Sequence, residues 1–163
     1  DYKSASSEQK RAAFEALATW KSFDVIYPLI EIARNSKDGK EKNDAVDAVV
    51  NTVSKSDQTQ AVKYLFLREA LEMASTDKQK NKIIDLIGQT NMYQALLLLE
   101  SYMDVPALKE KAAQASMKLA LDNPQFAGEK TTSILKKVSQ TLDSPDAGYQ
   151  REAINKFINE ISS

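Results

Sequence analysis

Residues 11–31, RAAFEALATWKSFDVIYPLIE, lie over residues 80–100, KNKIIDLIGQTNMYQALLLLE, at an offset of 69 positions. In that register Leu17 meets Leu86, Phe23 meets Met92, Leu29 meets Leu98, Ile30 meets Leu99 and Glu31 meets Glu100. The triplet Lys40-Glu41-Lys42 falls on Lys109-Glu110-Lys111 in the same register. A period of that size holds two units of about 35 residues, the size of one helix-turn-helix repeat in an α-solenoid. Such a unit cannot bury its apolar face alone, so the pattern predicts helical hairpins that cover one another.

Composition supports helices over strands. Only four glycines and four prolines punctuate 163 residues, too few for a many-stranded β protein. With 42% hydrophobic and 28% charged residues the chain sits among ordinary globular domains. The 22 basic and 23 acidic residues are interspersed and leave a net charge of −1, which offers no basic field for a phosphate backbone, so no nucleic-acid partner is expected. Absence of cysteine and histidine removes thiol nucleophiles, imidazole bases and most transition-metal ligand sets. No apolar stretch approaches the ~20 residues that cross a bilayer, so membrane insertion is not expected either. Residues 1–5, beginning Asp-Tyr-Lys, read as a disordered or artificial lead.

The remaining 6–163 read as one domain of nine helices. Ser6 or Ser7 is placed to cap a first helix carrying Ala13, Leu17 and Trp20. A second starts near Asp24, with Ile26, Leu29, Ile30 and Ala33 on one face and Pro28 in its first turns. The third carries Val46, Val49, Val50 and Val53, residues that tertiary burial must hold in a helix. Asp57 is expected to cap a fourth helix, 58–74, in which Tyr64-Leu65-Phe66-Leu67 is apolar almost all round. Helices five (77–88) and six (92–102, capped by Asn91) open the second copy. Helix seven, 105–121, begins near Pro106 and is rich in alanine, which permits close helix approach. Helix eight spans 127–142, and a ninth, after Ser144-Pro145, sets Ile154, Phe157, Ile158 and Ile161 on one face as an end cap.

Each unit has a first helix, a tight turn and a second helix with an apolar core: Ala16-Leu17-Ala18-Thr19-Trp20 with Tyr27-Pro28-Leu29-Ile30, and Leu86-Ile87-Gly88 with Ala95-Leu96-Leu97-Leu98-Leu99. This plan, with the later segment LLLLESYMDVPALKEKAAQASMKLA, resembles the HEAT-type segments of large bacterial proteins that also carry a 3-keto-disaccharide hydrolase domain. The resemblance covers about 8–142. It implies a right-handed α-α superhelix of about four hairpins plus a capping helix, and a periplasmic or secreted parent protein. No catalytic residue of the hydrolase domain maps onto this segment. The Trp-x-x-Leu-Gly-x-x-Tyr pattern of tetratricopeptide repeats is absent.

Candidate sites are few. Glu41, Asp44 and Asp47 share neighbouring helical turns and could in principle hold a hard cation, but carboxylates at i, i+3 on a polar face ordinarily serve solvation. The Asp143-Ser144-Pro145-Asp146 turn supplies further carboxylates and reads as a helix cap. Among the aromatics, Trp20, Tyr64, Tyr102 and Tyr149 are set against Tyr27 and Tyr93, which lie near the start of a second helix beside its apolar positions. Tyr27 and Tyr93 are therefore the candidate surface-binding residues. Lys78, Lys80 and Lys82, with Lys109, Lys111 and Lys136-Lys137, read as solvated faces.

The expectation is a monomeric, non-catalytic scaffold without a cofactor. Its partner is a separate protein or a neighbouring domain of the same polypeptide, docked on the second helices, 24–34, 58–74, 92–102 and 127–141. The runner-up is a carbohydrate-binding or hydrolase-associated module using exposed tyrosines, and a spacer without a ligand is the third reading.

Overall fold

The structure, a computed structural model, describes residues 23–162. Among them every regular element is a helix and no strand is present. A 3-10 turn, Phe23–Val25, leads into α1 (Ile26–Asn35), then α2 (Gly39–Lys55), α3 (Gln60–Met73), α4 (Asp77–Ile87), α5 (Tyr93–Tyr102), α6 (Lys109–Asp122), α7 (Glu129–Thr141) and α8 (Ala147–Ser162). A second 3-10 turn, Pro124–Phe126, separates α6 from α7. The all-α expectation is met. The expected first helix, with Trp20, and the lead 1–5 lie outside the described residues. The chain divides into two compact units, Asp1–Ser75 and Thr76–Ser163.

In the first unit α1 packs on α2 and α2 on α3, while α1 also touches α3. Ile26, Leu29, Ile30 and Ala33 of α1 are buried, as are Val46, Val49, Val50 and Val53 of α2 and Leu67, Ala70 and Leu71 of α3. Burial on that scale offsets the rotamer cost of four helical valines. Asp38 caps α2 by accepting the Glu41 N–H at 3.1 Å. At α3 the cap is Thr59 rather than Asp57: its Oγ1 accepts the Val62 N–H at 3.3 Å. Nor is the Tyr64–Leu67 run enclosed, since Leu65 is half exposed.

In the second unit α6 is the hub. It packs against α4, α5, α7 and α8. Its buried face is correspondingly wide and made of small side chains, Ala112, Ala113, Ala115, Ser116 and Ala120, with Leu119 as the one large residue. Gly88, at the end of α4, belongs to the same device: a Cβ there would stand 2.8 Å from Ala115 Cβ. Two small residues thus let α4 and α6 approach.

Asn91 does not cap α5. It sits at φ 56, a left-handed conformation that Asn tolerates better than most residues. Met92 occupies the cap position without a side-chain bond. The Asn91 Oδ1 instead accepts the Asn123 amide at 3.1 Å, and Asn123 also donates to the Leu119 carbonyl at 2.8 Å. Pro106 lies in the turn before α6 rather than in its first turn. On α8 Ile154 is buried, while Phe157, Ile158 and Ile161 are only partly covered.

A subset of buried positions recurs between the two units, though not at the offset read from residue identity. Buried Val25, Ile26, Leu29 and Ala33 correspond to buried Ala95, Leu96, Leu99 and Met103, each 70 positions on. Ala45, Val46, Val49, Val50 and Val53 correspond in the same way to Ala115, Ser116, Leu119, Ala120 and Asn123. Along α3 and α7 the offset falls to 68, so that Leu67, Ala70 and Ala74 match Leu135, Val138 and Leu142. The offset of 69 lies between them. Leu29 is therefore equivalent to Leu99, and Leu98 corresponds to half-buried Pro28.

Candidate interaction surface

Tyr27 is 60% exposed on α1. Its ring stands edge-on to Phe66 of α3 at 6.1 Å, and Phe23 meets the same ring edge-on at 5.4 Å. Two helical turns beyond Tyr27, the Arg34 guanidinium pairs with Glu69 of α3. Seven residues is nearly two full turns, so Tyr27 and Arg34 share a face about 10 Å apart along the axis.

The second unit carries the same arrangement with different chemistry. Leu97 of α5, the equivalent of Tyr27, is 39% exposed. Seven residues on, Asp104 receives the Lys137 ammonium of α7 at 2.9 Å. Lys137 also donates to the Glu100 carbonyl at 3.2 Å, and Lys130 pairs with the Glu100 carboxylate at 2.9 Å. Each unit therefore presents an apolar side chain and, seven residues later, a paired charge. The pair links α1 to α3 in the first unit and the turn after α5 to α7 in the second.

Tyr27 and Tyr93 are not equivalent to one another. Tyr93 corresponds to Phe23, and like Phe23 it is half buried against a neighbouring ring, Phe126, edge-on at 5.5 Å. Of the two candidates, Tyr27 is the open one. Tyr64 is buried with Arg68 over its ring at 5.7 Å, Tyr102 is half buried and Tyr149 is exposed. Trp20 lies outside the described residues.

Leu97 was missed by sequence reasoning because it sits inside the run Leu96–Leu99, which reads as uniform core. Burial along α1 supplies the missing signal: the place of Tyr27 is solvent-facing in both copies.

The acidic candidates do not converge. Lys40 pairs with Asp44 at 2.8 Å along α2, and among the described residues no group of three or more acidic side chains is placed to hold a metal ion. In the turn before α8, the Asp143 N–H donates to the Glu110 carboxylate at 3.1 Å. An open groove of about 900 Å³ runs between the start of α7 and the end of α8, lined by Gly128, Glu129, Ser133, Lys136, Lys137 and Ile161 among others. It is polar and broadly open to solvent. Among the described residues no helix is long and apolar enough to cross a membrane.

Comparison with known protein families, with curated proteins and with solved structures finds no match to this chain.

Proposed function

We propose that this chain is a HEAT-like α-solenoid segment that serves as a non-catalytic scaffold, docking a protein partner or a neighbouring domain of its own polypeptide on the α1–α3 and α5–α7 surfaces. The recurrence of buried positions from α1–α3 to α5–α7 supports a repeat architecture of helical hairpins. The observation that carries the docking surface is the repeated exposure of a large apolar side chain, Tyr27 and Leu97, at equivalent places beside a fixed ion pair. An apolar side chain with a charged pair along the same face matches the anatomy of a protein interface, where a few buried anchors carry most of the energy.

The test is site-specific photo-cross-linking in the full chain, with the reactive group at position 27 or 97 and, as controls, at exposed positions 51 and 118. The expected result is one protein, or one neighbouring domain, captured from both 27 and 97 and displaced by excess unlabelled chain. Capture equal at all four positions overturns the assignment. Calorimetric binding of a glycan that Tyr27→Ala abolishes replaces it with the carbohydrate-linked reading.

A further inference from the structure

The equivalent ion pairs of the two units have opposite polarity. In the first, α1 supplies the cation, Arg34, and α3 the anion, Glu69. In the second, the turn that follows α5 supplies the anion, Asp104, and α7 the cation, Lys137. The correspondence is positional on both sides, since Asp104 follows Arg34 by the 70 residues that relate α1 to α5, and Lys137 follows Glu69 by the 68 that relate α3 to α7. Several neighbouring buried places match as well, Leu29 with Leu99, Leu67 with Leu135 and Ala70 with Val138, although buried Ile30 falls on ion-paired Glu100 and buried Leu71 on half-buried Ser139, so burial distinguishes the partners only in part. Repeat chains with similar faces are prone to misassembly of this kind while they fold.

We infer that the inverted ion pairs are a register key that steers each helix to the partner of its own unit. Were α7 to take the place of α3 against α1, Arg34 would face Lys137. Were α5 to take the place of α1 against α3, Asp104 would face Glu69. Both crossed arrangements set like charges together where the native ones set opposite charges, and a competing fold is penalised twice. The pairs are partly exposed, with side-chain exposures of 59% and 26% in the first unit and 30% and 70% in the second. Their contribution to native stability is correspondingly small, and their effect falls on the choice between arrangements.

The test inverts one key without breaking the native pair. Arg34→Asp with Glu69→Lys keeps an opposite-charge pair in the first unit but gives both units the same polarity, so crossed pairings become attractive. The full chain is diluted from urea at low salt, and the misfolded fraction is read as material outside the native size-exclusion peak that lacks native amide-exchange protection. The expected result is a rise of roughly threefold to tenfold over the parent chain, the scale of two surface charge contacts changing sign. Inverting the second unit alone, with Asp104→Arg and Lys137→Glu, should also raise it. The quadruple variant, both keys inverted, should return to the parent value. In 1 M salt the differences should collapse, because screening acts within about 3 Å. Double variants that refold like the parent chain overturn the inference. So does a quadruple variant that refolds worse than either double, the additive damage that a merely structural role produces.

Discussion

Val46, Val49, Val50 and Val53 fill the buried face of α2, whereas Ser116, Leu119 and Ala120 of α6 and Asn123 at its end fill the equivalent places. Among the described residues α2 packs against α1 and α3, while α6 packs against α4, α5, α7 and α8. The branched side chains of α2 fill the space between its axis and those of α1 and α3. A helix approached from four sides must thin its own side chains so that the others come close, which is what Ala112, Ala113, Ala115 and Ser116 allow. One burial pattern is thus realised with two volumes.

The largest test of that equivalence is truncation of the matched leucines. Leu29→Ala and Leu99→Ala each remove a side chain with no exposed surface, and each should cost about 2–5 kcal/mol in urea unfolding. Leu98→Ala, at the half-buried place of Pro28, should cost less than half as much. Equal losses at Leu98 and Leu99 would restore the offset of 69 and break the comparison.

Overpacking probes the other side. Gly88→Val places a branched side chain where a Cβ alone already meets Ala115 at 2.8 Å, and a cost of about 1–3 kcal/mol is expected from forced shifts. Combining it with Ala115→Gly should recover part of that loss, which a thermal melt of the double variant reads directly. At Gly39, where nothing stands within 4 Å of a built Cβ, the same substitution should be far milder.

Helix caps sharpen a smaller distinction. Thr59→Ala removes the acceptor of the Val62 N–H and should cost about 1 kcal/mol. Asp57→Ala, two residues earlier, should be near neutral in the same denaturant titration.

Much of the fold was legible because helical periodicity is a local signal. Ile26, Leu29, Ile30 and Ala33 announce α1, and Val46 through Val53 announce α2, with no knowledge of the rest of the chain. What could not be read locally was register. Matching by identity chose Leu29 with Leu98 because both are leucine, while the structure matches by burial and moves one place on, to Leu99. Caps failed for a related reason: Asp57 and Thr59 are both competent residues, and only the backbone path decides which one reaches a free N–H. Of the candidate surface, Tyr27 was visible as an aromatic beside an apolar stripe, but Leu97 was hidden in a leucine run. The ion pairs Arg34–Glu69 and Asp104–Lys137 join residues more than thirty positions apart, a separation at which charge patterning along one helix is silent.

The smallest expected effects lie in those pairs, and there the two units should differ in a calculable direction. A double-mutant cycle with Arg34→Ala and Glu69→Ala should give a coupling of about 0.2–1 kcal/mol, and the cycle with Asp104→Ala and Lys137→Ala a similar value. The single substitutions should not match. Arg34 lies in the last turn of α1, where a cation also favours the negative end of the helix dipole, so Arg34→Ala loses both interactions. Asp104 lies two residues beyond the end of α5, where an anion is opposed by the same field, so Asp104→Ala loses the pair but relieves that opposition. Arg34→Ala should therefore cost a few tenths of a kcal/mol more than Asp104→Ala, a gap that narrows in high salt. If the two single losses are equal, the helix ends contribute nothing and the polarity of each pair is free to be chosen by which helices must be kept apart.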